Sequence, residues 1–218
     1  PLSEATQRLA GELGVAVRLL PASDDPVRTF LATPEGELDF QTWFVRRRHA
    51  DEVTAVRYEG AEAARPAPGV LAAMAGAEVV FLAPSNPFVS IRPILAVPGI
   101  REVLAGKRVV AISPLVAGEA LRGPLAGMMA SLGFEPGVRG IAAAYEGIAT
   151  KVVVDPVDAG ELPGALVAPI VMVNINDDME QALYPVKAML GFYIGGMGAA
   201  KHNFHKELMA RMGFPDEA

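Results

Sequence analysis

The five residues Val79 to Ala83 are continuously apolar and end in the turn cluster Pro84-Ser85-Asn86-Pro87. A short apolar run closed by turn formers is the pattern of a strand buried on both faces, as in a parallel sheet. A second run, Arg108 to Ile112, ends in Ser113-Pro114. A right-handed crossover between the two would bring both loops to one edge of the sheet. That edge, beyond the carboxyl ends of the strands, is where open α/β sheets bind ligands. Ser85, Asn86 and Ser90 supply hydroxyls, an amide and backbone N–H groups suited to phosphate oxygens. They are also default turn residues, so on spacing alone an ordinary β-to-α loop explains them equally well.

Composition narrows the class. The 218 residues suffice for one α/β domain or a domain with an appendage. With 51% hydrophobic and 20% charged residues, a sizeable core is expected and global disorder is not. A net charge of −6 argues against a general binder of nucleic acid or membrane surface, although a local basic patch can still hold phosphate. The absence of cysteine excludes disulfides, thiolate catalysis and cysteine-ligated metal. No signal peptide or transmembrane run is recognisable, so a cytoplasmic protein is expected. The chain starts at Pro1 rather than Met, as a piece of a longer protein would.

The remaining segments follow in order. Residues 3 to 13 predict a helix with Ser3 as N-cap and Gly14 at its end. Val15 to Leu20, Val27 to Thr33 and Leu38 to Phe40 predict strands of an antiparallel excursion, and Val53 to Glu59 predicts another strand of alternating character. Phe40 to His49 places Arg46, Arg47 and Arg48 after an aromatic cluster. Three adjacent arginines cannot share one face. They are either a solvated surface or a group of which one or two meet an anionic ligand. Short helices are expected over residues 68 to 75, 98 to 104 and 141 to 145, and a strand over Lys151 to Val154. Pro124 predicts the first position of a helix running to Leu132, which sets Arg122 just before a helix N-terminus, an anion-favouring place.

The motifs SDDPVRT, FQ-x-x-FVRRR, RYEGAEAARPAPGV, APSNPFVSI-x-PILAVPGIRE, ISPLV-x-G-x-AL-x-GP and VVVDPVDA together resemble the 2-phospho-L-lactate transferase family, CofD, over residues 1 to about 163. The resemblance implies a Rossmann-like three-layer α/β fold. It also implies transfer of a phospholactyl or phosphoenolpyruvyl group from its guanosine diphosphate conjugate to the deazaflavin Fo. GMP leaves, Mg²⁺ assists, and a precursor of coenzyme F420 forms. Such chemistry needs positioning and charge neutralisation more than covalent help. The resemblance places Ser85, Asn86, Pro87 and Ser90 in the guanosine-phosphate loop, and Ser113 and Pro114 in the loop beside it. Arg122, Gly123 and Pro124 follow, with Arg46, Arg47 and Arg48 near the pocket. Two departures stand out. Arg92 replaces a family glycine, setting a large cation where it would either block the pocket or add a phosphate contact. The strand and glycine-rich turn that open the family are not found in the sequence, so an N-terminally incomplete sheet and impaired activity are expected.

The tail reads differently. Residues 164 to 218 are expected to form a separate strand-plus-helices appendage. The stretch 168 to 214 resembles an internal segment of luciferase-like, F420-dependent oxidoreductases, which are TIM barrels. Its glycines at 195, 196 and 198 follow a helix rather than a strand, the wrong context for a dinucleotide loop. His202 and His205 read as surface residues rather than metal ligands, and no protein metal site is assigned. The main functional expectation is therefore the transferase. The alternatives are an F420-dependent oxidoreductase or a non-catalytic fusion product. Expected partners are small molecules, with homo-oligomerisation through apolar surface left by missing elements.

Overall fold

A computed structural model of the chain describes residues 1–116, 119–120, 124–162, 166–167, 178–181 and 183–184. The chain divides into two compact units, residues 1–169 and 170–218. The strand and helices expected beyond residue 168 fall almost wholly outside the described residues, so the account below concerns the first unit.

The chain opens with α1 (Leu2–Glu12). Ser3 does not cap it: Pro1 holds the N-cap position, and Ser3 instead donates its backbone N–H and hydroxyl to Asp24, at 2.6 and 2.7 Å. Gly14, at φ +65°, ends the helix as its lack of a Cβ allows. The strand expected over Val15 to Leu20 does not form, and Val15, Val17 and Leu19 lie exposed. In the adjacent sheet β1 (Arg28–Thr33) is flanked by β2 (Gly36–Asp39) on one side and β3 (Ala55–Glu59) on the other, both antiparallel. Arg57 on β3 lies over the Phe30 ring of β1 at 4.7 Å and bridges Glu37 of β2.

Helix α2 (Val70–Gly76) then leads into a parallel sheet. Its strands are β4 (Val79–Leu82), β5 (Arg108–Ile112), β8 (Lys151–Val154) and β9 (Leu166–Val167), hydrogen-bonded in that order. β4 and β5 run parallel with Val79 opposite Arg108 and Leu82 opposite Ala111. Between them lie α3 (Arg92–Leu95) and α4 (Ile100–Leu104). After β5 come the short hairpin β6 (Leu115–Val116) and β7 (Glu119–Ala120), α5 (Leu125–Ser131) and α6 (Val138–Ala144). Pro124 stands one place earlier than expected, as the N-cap of α5. The alternation of strands and helices yields the α/β class that the apolar runs imply.

The expectation that β4 is buried on both faces is not met. Leu82 is buried, whereas Phe81 is 65% exposed, and β4 is the outermost strand of this sheet among the described residues. An apolar run specifies a strand but does not state how many layers cover it. The strand with both faces buried is β5, where Val109, Val110 and Ala111 are all buried between exposed Arg108 and half-buried Ile112. The core joins Trp43, Phe88, Ile100, Val109, Met129, Ile141 and Tyr145. Each large apolar side chain removed from water this way contributes about 2–3 kcal/mol. Packing of α6 is close enough that a Cβ on Gly140 would sit 1.8 Å from the Glu135 carbonyl oxygen, so this helical position admits only glycine.

Candidate functional site

Parallel pairing of β4, β5 and β8 carries the three following loops to one edge of the sheet. Ser113, just past β5, donates its backbone N–H to Val153 on β8 at 2.9 Å, and its hydroxyl accepts the N–H of Leu115 at 3.1 Å. The loop after β4 is shaped by Asn86. Its carboxamide oxygen accepts the N–H groups of Phe88, at 2.9 Å, and Val89, at 3.4 Å. Pro87 follows at the first helical position, where no N–H is needed. The turn Pro87–Ile91 is wide, with i→i+5 hydrogen bonds from Ile91 to Asn86 and from Arg92 to Pro87. Such π-type turns are uncommon and concentrate at functional sites. The Asn86 amide nitrogen reaches the Met128 sulfur on α5 at 3.6 Å. This loop is further pinned by the Tyr58 hydroxyl of β3, which donates to the Phe88 carbonyl oxygen.

Among the expected ligand residues, Ser85 is half-buried, Ser90 is exposed, and neither hydroxyl has a hydrogen-bond partner among the described residues. Asn86 and Ser113 are there too, but their side-chain oxygens are engaged in holding the loops. Pro87 is buried and Pro114 half-buried, so both act on backbone shape. Arg122 and Gly123 lie outside the described residues.

The arginine cluster splits. Residues Thr42–Arg46 form a second wide turn, closed by Arg47 N–H to the Thr42 carbonyl at 2.9 Å. Trp43 is fully buried and donates its indole N–H to the Asp51 carbonyl at 3.1 Å. Arg47 is held by Glu35 at 2.5 Å and Asp51 at 2.6 Å, and these hydrogen bonds raise its pKa still further above its ordinary range and depress that of Asp51. Arg47 is thus a structural cation. Arg46 and Arg48 are exposed without an ion pair among the described residues. Arg48 and His49 adopt left-handed backbone, at φ +52° and +48°, which costs of order 1 kcal/mol or more per non-glycine residue. A cavity of about 250 Å³ lies between His49 and Asp51 on this segment and Pro124 and Met128 on α5. Met128 therefore stands between the arginine segment and Asn86.

Arg92 is not in a glycine-like conformation. Its backbone is helical, at φ −58° and ψ −36°, so arginine is accommodated here without strain. Its guanidinium lies over the rings of Phe88, at 4.9 Å, and Phe134, at 5.3 Å. It lines a cavity with Tyr58 and Arg101.

Sequence reasoning assigns no role to Asp158, which it reads as part of a turn. The structure buries it to 2% exposure just beyond β8, with Oδ2 lacking a hydrogen-bond partner. Asp155, three residues earlier, caps the segment by accepting the Val157 N–H at 2.9 Å. An unpaired buried carboxylate oxygen is costly, by about 1–3 kcal/mol, and marks Asp158 as an acceptor at the same edge. The signal available in the sequence is a second acid placed after a capping aspartate at the carboxyl end of a strand. Among the described residues no three His, Asp or Glu side chains gather into a metal-holding group. The described residues thus present no cage of protein ligands for Mg²⁺, an ion usually held by one or two carboxylates with substrate phosphates, and no step below runs through one. No helix among the described residues is long and apolar enough to cross a membrane.

Comparison with known proteins bears on these features. A structure from Bacillus halodurans aligns with 70% of this chain and 47% of its own, at TM-score 0.51 and 19% identity, and supports the α/β fold alone. The 2-phospho-L-lactate transferase of Methanopyrus kandleri is 40% identical over 168 residues, covering 76% of this chain and 54% of its own length. The phosphoenolpyruvate transferase of Streptomyces griseus is 44% identical over 167 residues, covering 73% and 52%. The chain spans about half the length of the curated relatives it matches. The family described as "2-phospho-L-lactate transferase CofD" matches residues 1–184, so the match continues past residue 163, where the sequence reading ends the resemblance. On that match, and on the loops that the parallel sheet gathers at one edge, the chain belongs to the CofD family.

Proposed function

We propose that the protein acts in coenzyme F420 biosynthesis, transferring a phospholactyl or phosphoenolpyruvyl group from its guanosine diphosphate conjugate to Fo. The deazaflavin ribityl hydroxyl attacks the phosphorus that carries the three-carbon acid, and a new P–O bond forms. The anhydride bond to the guanosine phosphate breaks, the bridging oxygen leaves with GMP, and the hydroxyl proton passes to solvent. The observation that carries this reading is the family match over a loop edge offering free Ser85 and Ser90 hydroxyls. In this reading the Ser85 and Ser90 hydroxyls hold phosphate oxygens of the conjugate, while Arg46 and Arg48 offset charge on the departing GMP. Asn86 and Ser113 keep the two loops in place.

The test is incubation of the protein with Fo and either activated conjugate, with and without added Mg²⁺. Product is followed by mass spectrometry and GMP by chromatography. Equimolar GMP and deazaflavin phosphodiester are expected. A protein that forms no product and binds neither Fo nor guanosine phosphates by calorimetry overturns the proposal. Comparing the two conjugates assigns the three-carbon acid.

A further inference from the structure

A cavity of about 540 Å³, whose lining includes none of Ser85, Ser90 and Ser113, is bounded by Tyr58, Arg92, Leu95, Arg101, Glu146 and Ile148 among others. Leu95 to Arg101 lead towards β5, and Glu146 to Ile148 precede β8, so it lies towards the amino ends of the strands. The Arg92 guanidinium lies against Phe88 and Phe134, whose rings are themselves 5.0 Å apart and so sit on one side of it, which leaves its other side and its in-plane N–H donors to act. Neither Arg92 nor Arg101 has an ion pair or hydrogen-bond acceptor among the described residues. Tyr145 is 1% exposed, and its hydroxyl has no hydrogen-bond partner. Burial pushes the hydroxyls of Tyr58 and Tyr145 up to about 12, and the charge of Arg92 opposes both shifts. Both phenols therefore stand within the field of Arg92 and remain neutral donors at physiological pH. Tyr58 spends its proton on Phe88. The cavity lining thus holds two unpaired cations, with Glu146 as its acidic group, and the buried Tyr145 hydroxyl is not part of it. An excess of donors over acceptors is what a protein site for an oxyanion presents before its ligand arrives.

We propose that this cavity is a second anion-binding site, taking a small oxyanion, a phosphate or a carboxylate, between Arg92 and Arg101. The planar guanidinium of Arg92, held by its aromatic neighbours, presents a fork that matches two oxygens. Glu146 limits the total negative charge that the site accepts, favouring a singly charged group.

The full chain is titrated by calorimetry with inorganic phosphate and, separately, with acetate, at constant ionic strength set by sodium chloride. Saturable binding is expected. Arg101→Gln and Arg92→Lys should each weaken it by about tenfold, the latter because lysine keeps the charge but loses the fork. Glu146→Gln should strengthen it by about threefold through loss of a like charge. Ser85→Ala should leave it within about twofold, since that hydroxyl belongs to the other edge. Arg101 is exposed, so its variant is expected to melt at the temperature of the parent in the absence of anion, which separates lost binding from lost folding. Tighter phosphate assigns a phosphorylated ligand, and tighter acetate assigns a carboxylate. Absence of saturable binding of either anion at millimolar concentration overturns the proposal, as does binding that neither arginine variant changes.

Discussion

The carboxamide oxygen of Asn86 accepts the backbone N–H of Phe88 at 2.9 Å, which makes the asparagine of the β4 loop a helix cap. Asn86→Ala is expected to cost about 1 kcal/mol in stability, the usual loss for an N-cap, and Asn86→Asp much less because an acceptor oxygen remains. Urea denaturation of the two variants checks this. Equal stability of the alanine variant and the parent would show that the cap is not what orders the turn.

Ser85 and Ser113 should separate under the same substitution. The Ser85 hydroxyl has no partner among the described residues, whereas that of Ser113 accepts the Leu115 N–H at 3.1 Å. Ser85→Ala is expected to weaken binding of a guanosine phosphate by about 1 kcal/mol while leaving the melting temperature unchanged. Ser113→Ala is expected to lower both. Calorimetric titration with GMP beside thermal unfolding distinguishes them, and an unaltered GMP affinity for Ser85→Ala counts against the loop assignment.

Arg48 stands at φ +52° with no ion pair among the described residues. Replacing it with glycine relieves the left-handed strain but frees the unfolded chain, so stability should change by less than about 1 kcal/mol. Transfer activity should nevertheless fall, because the cation is gone. Unchanged turnover with unchanged stability would leave Arg48 as solvated surface.

The Asp24 carboxylate accepts the hydroxyl and the backbone N–H of Ser3, and these hydrogen bonds hold its pKa below the ordinary 3.8. A depressed carboxylate pKa contributes stability that is complete above the unfolded value and disappears as pH falls through the folded value. Ser3→Ala should therefore lower stability at neutral pH and flatten the loss of stability on acidification below about pH 4. Thermal unfolding of both proteins from neutral pH downwards tests this, and parallel pH profiles would refute it.

Several features are legible in the residues alone. The apolar runs and their turn clusters mark β4, β5 and β8, and the order of strand and helix signals specifies the α/β class. Local chemistry also places Gly14 at a helix end. Other features depend on partners distant in sequence. Val15 to Leu20 has the composition of a strand, yet it joins no sheet in the folded chain. Ser3 has the composition of a cap, but Asp24, 21 residues away, claims it instead. Asp158 reads as a turn residue until burial shows one of its oxygens unpaired.

The RRR stretch shows the division most clearly. Sequence by itself determined that three cations follow an aromatic cluster and cannot share one face. Only tertiary structure decided that Arg47 is bound by Glu35 and Asp51 while Arg46 and Arg48 are left outward. The motif around Ser85 likewise determined the loop and its polarity. Packing decided that Asn86 is consumed as a cap, that Phe81 remains exposed, and that Arg92 turns onto Phe88 and Phe134. The physical reason is range. Periodicity and turn preference act within a few residues, whereas burial and ion pairing depend on which side chains the finished fold brings together.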